Sequence, residues 1–99
     1  MSARTLTITT PEGVFTRKTS TRYAFAVVWR SPRAMAAFLD PKRSESQMEI
    51  RWKKDRGFGV TWHTSHDTAS RAARGSYCCD RAAVLVGIFA LDGVTGQSA

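Results

Sequence analysis

The chain has 99 residues and a mass of 11.0 kDa, enough for one domain with a core that needs neither disulfides nor a metal. Its 42% apolar and 23% charged residues exclude disorder along the whole length, and no apolar run reaches the roughly 18 residues of a membrane span. Fifteen bases against eight acids give +7, unevenly spread: positions 1–31 carry +4, positions 32–56 carry +3 and positions 57–99 are neutral.

In chain order, Thr5 to Thr9 alternates polar and apolar and reads as a strand, and Pro11-Glu12-Gly13 is turn chemistry. Val14 to Arg17 starts the return strand of a hairpin. Arg22 to Arg30 is the clearest strand, with Tyr23, Phe25, Val27 and Trp29 on one face and Ala24, Ala26 and Val28 on the other. Ser31-Pro32 predicts a helix cap followed by proline at the first helical position, with Met35, Phe38 and Leu39 as the apolar stripe and Asp40-Pro41 as the stop. Lys42 to Gln47 reads as a polar loop.

Met48 to Lys54 and Phe58 to His63 read as a second hairpin, with Asp55-Arg56-Gly57 as its loop and Gly57 left-handed. That register puts Ile50 and Trp52 on one face with Val60 and Trp62, whereas a one-residue slip would mix the faces. Thr64 or Ser65 caps a second helix with Asp67 in its first turn, an Ala69, Ala72, Ala73 stripe, and Gly75 at its end. Ala82 to Leu91 is apolar on both faces and reads as a buried strand. The expected fold is α+β: a single small domain over 1–92, a mostly antiparallel sheet of five to six strands, two short helices in the order β-β-β-α-β-β-α-β, and a flexible tail over 93–99. Phe25 to Ser31 echoes Phe58 to Thr64 at three of seven positions, without extending outward into a repeat.

Several chemistries lack their residues. His63, His66, Cys78 and Cys79 offer four nitrogen or sulfur donors, but not at the spacing of a zinc motif; they read as two surface imidazoles and two small buried thiols. Adjacent cysteines rarely bridge each other, because the ring strains the intervening peptide bond, and their number fits a reducing compartment. A Cys–His nucleophile pair has no third orienting group, and the cysteines follow a helix end, where the dipole disfavours a thiolate. The acids form no paired-carboxylate arrangement, and Gly57-Phe58-Gly59 lacks the Lys-Ser/Thr of a phosphate loop. No catalytic residue, metal or cofactor is therefore expected, nor any membrane segment. Met1 to Thr5 carries no apolar signal core, so a cytoplasmic location is expected.

The basic half points to a polyanionic partner, usually nucleic acid, because neutralising phosphates releases counterions. A merely solvated basic surface is the bland alternative, and eleven Arg beside thirteen Ala also fit a GC-rich genome. Arg51 to Phe58 interleaves bases with aromatics, as single-strand binders do, but Trp52 shares a face with Ile50, Val60 and Trp62 and reads as core. The nucleic-acid-binding set is Arg17, Lys18, Arg22, Arg51, Lys53, Lys54 and Arg56, suited to phosphate contacts without sequence readout. Strands 22–30 and 82–91, apolar on both faces, need cover above and below. Sheet curling, a second copy forming a homodimer, or a partner protein could supply it, with Tyr23, Phe25, Val27 and Trp29 as the interface. The self-contained alternative lays the alanine helix on the Ala24, Ala26, Val28 face and the N-terminal hairpin on the aromatic face.

A hairpin followed by a helix is similar, over about a quarter of the chain, to the arm-type DNA-binding domains of tyrosine integrases. Val14-Phe15-Thr16-Arg17 and Thr21 to Val28, with the later Trp62-His63 strand and the Ala/Arg helix, resembles small uncharacterised proteins of actinobacteriophages and their hosts over some two-thirds of the chain. That resemblance implies a phage-encoded accessory protein in the host cytoplasm. Two expectations follow: a small non-enzymatic nucleic-acid-binding module, or an inhibitor or adaptor that binds a host protein through an apolar sheet face or edge strand.

Overall fold

A computed structural model describes residues 3–40 and 46–95. Strands β1 (Arg4–Thr10), β2 (Gly13–Thr19) and β3 (Phe25–Arg30) are followed by helices α1 (Pro32–Leu39) and α2 (Gln47–Lys54). Strand β4 (Phe58–His63), helix α3 (His66–Arg74) and strands β5 (Val84–Ala90) and β6 (Gly93–Thr95) follow among the described residues. The class is α+β in one domain, with antiparallel pairing throughout. The strands form two three-stranded sheets, β2-β1-β6 and β4-β3-β5, rather than one sheet of five or six.

The first sheet follows from its hairpin. Thr10 pairs with Gly13 around Pro11-Glu12, Gly13 takes φ 122°, and the Thr10 hydroxyl accepts from the Glu12 amide and donates to the Gly13 carbonyl. Alternation then turns Leu6, Ile8 and Phe15 inward, and all three are fully buried. In the second sheet β3 is central. Val28 opposes Val60 of β4, and a bulge between Val28 and Trp29 adjusts the pairing with β5. The echoed segments are thus sheet neighbours, paired antiparallel.

Central β3 explains its two apolar faces. Ala26 and Val28 pack with Val60 against Ile8 and Phe15 of the first sheet. Val27 and Trp29 pack against Ala69 of α3 and against Tyr77. The result is three layers: sheet, sheet, helix. The chain therefore supplies its own cover on both sides of β3, in the reverse of the self-contained alternative; β5, expected as a buried strand, is instead a sheet edge with Val84 and Leu85 exposed. Small alanines let α3 approach the aromatic face closely, while the hairpin fills the space above the small Ala26 side chain. Tyr23, Phe25, Val27 and Trp29 are consequently not an exposed interface. Val27 and Trp29 are core, Phe25 lies edge-on to His66, and Tyr23 tilts against Trp62.

Helix ends match the sequence signals. Ser31 caps α1 by accepting from the Ala34 amide, with Pro32 just inside, and Ser65 caps α3 by accepting from Thr68. The stripe of α1 does not behave as expected: Ala34 and Ala37 face inward, while Met35, Phe38 and Leu39 stand exposed.

The largest departure is Met48 to Lys54, which is helix α2 and not a strand. Ser46 and Glu49 form a capping box, the hydroxyl accepting from the Glu49 amide and the Glu49 carboxylate accepting from the Ser46 amide. Gln, Met, Glu, Arg and Lys are good helix formers, and the period-two apolar pattern does not mark a buried face: Trp52 is buried, Met48 and Ile50 are exposed. The predicted loop ends this helix. The Gly57 amide donates to the Trp52 carbonyl and the Arg56 amide to Lys53, with Arg56 (φ 58°) and Gly57 (φ 84°) both left-handed. Gly57 is left-handed as expected, for a helix stop instead of a hairpin turn. Gly93, expected to open a frayed tail, instead begins β6, which pairs Thr5 with Thr95. Positions 42–45 of the expected loop and 96–99 of the expected tail lie outside the described residues.

Candidate nucleic-acid interface

Because α2 is a helix, its bases cannot share a strand face with Thr61 and His63. They meet β2 instead. One turn apart on α2, Gln47, Ile50, Arg51 and Lys54 line a cleft of about 240 Å³ whose opposite wall is Thr16, Arg17 and Lys18. Trp62 of β4 and Asp55 complete it. Four of the seven predicted bases (Arg17, Lys18, Arg51 and Lys54) converge here from two elements far apart in sequence.

A second hollow of about 220 Å³ shares Arg17, Arg51 and Trp62 with the first, and adds Met48, Thr61, Tyr77, Cys78 and Cys79. The two make one continuous trough with cationic walls. The Arg17 guanidinium lies 5.3 Å from the Tyr23 ring centroid, which restrains it at the rim.

The other three bases stand apart. Arg22 is exposed in the segment before β3, and Lys53, half-buried, does not line the trough. Arg56 is held against the hairpin: its Nη1 donates to the Val14 carbonyl at 3.1 Å and its guanidinium lies 4.5 Å over the Phe15 ring.

Among the described residues that line the trough, Asp55 is the one acid. The residue is 6% exposed, and burial pushes its carboxyl up to about 6 against the pull of Arg51, Lys54, Arg56 and Arg17. Near neutral pH the carboxylate offsets part of the cationic field; once protonated it leaves the four bases unopposed.

Trp52 is core, as expected. Its indole N–H donates to the Tyr77 hydroxyl at 3.2 Å, and burial holds that hydroxyl up to about 12. Tyr77 stacks on Trp29 and leaves no room for a side chain at Gly59, where a Cβ would come within 2.5 Å of its ring. Sequence reasoning missed Trp62 as the trough aromatic and Tyr77 as its floor. Trp62 was legible as the last large residue of an edge strand; Tyr77 stands alone between apparent turns and carried no signal.

His63 bonds Thr61 and is shifted down by burial, and His66 lies 3.3 Å from the Ser70 hydroxyl. Cys78 is exposed and Cys79 half-buried, so they are not the two buried thiols expected. Among the described residues no three of His, Cys, Asp and Glu gather as a metal-binding group, and no helix is long and apolar enough to cross a membrane. Compared with protein-family models, curated proteins and solved structures, the chain matches none.

Proposed function

We propose that the chain is a small non-enzymatic module that binds nucleic acid through its phosphate backbone in the trough between β2 and α2. The supporting observation is the convergence of Arg17, Lys18, Arg51 and Lys54 on one concave surface beside Trp62. Cations on two facing walls can straddle a phosphodiester chain, and the partly exposed indole offers one base a stacking surface. Two of the four are lysines, point charges without the planar fork that reads guanine, so the reading is backbone contact without sequence preference.

The test is fluorescence anisotropy of labelled random-sequence duplex and single-stranded oligonucleotides across a salt series. Four phosphate contacts give a log–log salt slope of roughly −3 to −4. Arg51→Glu should weaken binding about tenfold and flatten the slope by about one, while Lys53→Glu, on the same helix but outside the trough, should do neither. Equal effects of the two substitutions would mean a diffuse basic surface, and no binding at physiological salt would overturn the reading.

A second reading, an inhibitor or adaptor of a host protein, is favoured by a separate observation. Leu39 is 69% exposed and Val84 62%, and Pro32, Met35, Phe58 and Val84 line an apolar hollow of about 410 Å³ beside edge strand β5. Exposed apolar surface of this kind suits a protein partner. Leu39→Glu with Val84→Glu separates the readings: it should abolish a protein complex and leave nucleic-acid affinity unchanged.

A further inference from the structure

Two thiols and a thioether face the same hollow. Cys78 Sγ and Cys79 Sγ are 3.5 Å apart, and Met48 lines the hollow beside them. The Tyr77 hydroxyl, which lines the same hollow, donates to Met48 Sδ at 4.0 Å. The cysteines occupy the turn from Tyr77 to Asp80, which is closed by the Asp80 amide donating to the Tyr77 carbonyl. That turn is also fixed from outside. The Asp80 carboxylate accepts from the Ser31 hydroxyl and the Arg33 amide, and Arg33 Nη1 donates to the Cys79 carbonyl.

A separation of 3.5 Å is too long for a disulfide bond, which needs about 2.05 Å and strains the peptide between neighbours. It is close to chelating distance: with metal–sulfur bonds of about 2.3 Å, a trigonal ion sets two sulfurs about 4.0 Å apart, so the exposed Cys78 thiol has to swing outward by roughly half an ångström. Donor softness selects among ions. Thiolates with a thioether favour monovalent copper, whereas zinc prefers four ligands with nitrogen or further thiolate among them. Charge selects in the same direction. Cu(I) displaces both thiol protons and leaves a two-thiolate complex of charge −1, with no change of oxidation state, and the hollow is flanked by Arg17 and Arg51.

We propose that Cys78, Cys79 and Met48 form a binding site for one monovalent copper ion. Met48 is 38% exposed and Cys78 is exposed, so the ion has a direct path from solvent. The site rests on its own donors and would stand if the trough bound no nucleic acid.

The test is an anaerobic titration, with no nucleic acid present, in which the full chain competes with bicinchoninate for Cu(I) and the loss of the chelator complex's visible absorbance is read. We expect one equivalent withdrawn per chain. Cys78→Ser and Cys79→Ser should each weaken binding more than a hundredfold, and Met48→Leu, which preserves side-chain volume, about tenfold. Cys78 is exposed, so Cys78→Ser keeps the fold, and far-ultraviolet circular dichroism verifies it. Failure of the unaltered chain to withdraw copper, or equal withdrawal by Cys78→Ser, would overturn the site. Unchanged affinity in Met48→Leu would overturn the three-donor assignment.

Discussion

Arg56 holds its guanidinium over the ring of Phe15 from a backbone position that L-residues rarely adopt. At φ 58° it takes the left-handed place that glycine usually fills after a helix, and its Nη1 donates to the Val14 carbonyl. The strain costs about 1 kcal/mol, offset by a cation–π contact of about 0.5–1 kcal/mol and the hydrogen bond. The two substitutions at this position should therefore differ. Arg56→Ala keeps the strain and loses the contacts, and should lower unfolding stability by about 1–2 kcal/mol. Arg56→Gly loses the same contacts but relieves the strain, and should sit about 1 kcal/mol above Arg56→Ala. Urea midpoints of the three chains measure this, and identical midpoints for the two variants would remove the strain from the account.

The packing of Tyr77 between Trp29 and Gly59 should be intolerant of one added methyl. A Cβ at position 59 would lie 2.5 Å from the Tyr77 ring. Gly59→Ala should cost about 2–3 kcal/mol, the upper range for overpacking. Tyr77→Phe should cost about 1–2 kcal/mol, because it leaves the buried Trp52 N–H without its acceptor. Thermal unfolding of each variant gives the comparison.

Asp55 sets an unusual pH dependence. Its folded value of about 6 lies above the ordinary carboxyl value of 3.8, so between these limits the folded chain binds more protons than the unfolded chain. Stability should therefore rise as pH falls from about 7 through 6 towards 4, opposite to the usual carboxylate. Asp80 works in the other direction: the Arg33 amide and the Ser31 hydroxyl hold its carboxyl below the usual range, so its contribution is lost as the pH falls further. Asp55→Asn should stabilise the chain at neutral pH by about 1–2 kcal/mol and flatten the rise. Urea titrations at stepped pH supply the profile, and a wild-type profile that falls between pH 7 and 5 would contradict the assignment.

The same substitution bears on the trough. Asn at position 55 removes the one acid among the described residues that line it with Arg17, Lys18, Arg51 and Lys54. Nucleic-acid affinity at neutral pH should rise several-fold, and its dependence on pH between 5 and 7 should vanish. Anisotropy at constant ionic strength reads both effects, and an Asp55→Asn chain that keeps the wild-type pH dependence would exclude this carboxyl as its source.

What the sequence made legible was local. Ser31-Pro32, Ser65 and Gly75 mark helix ends in short windows, and Pro11-Glu12-Gly13 and the alternation around Ile8 and Phe15 mark the hairpin. The error at α2 came from ranking periodicity above capping. Met48, Ile50 and Trp52 alternate as a strand would, although Ser46 and Glu49 already stood at capping-box spacing. The outward stripe of α1 was not legible, because Ala34 and Ala37 are as able to pack as Met35 and Phe38, and only the neighbouring Trp52 decides which face turns in. Arg17, Lys18, Arg51 and Lys54 were legible as bases, but their gathering depends on β2 and α2 lining the same cleft, which no local window contains.

The pairing of β1 with β6 has a temporal meaning. Strand β1 leads the described chain, yet one of its two edges is satisfied only when Thr95 reaches Thr5. During synthesis the hairpin can form early, but the first sheet stays one strand short until residues 93–95 are available. Over that interval the free edge of β1 is a template for unwanted strand addition. Chains cut before Gly93 would keep the same open edge permanently, so self-association rather than loss of the core is the outcome to look for in such truncations.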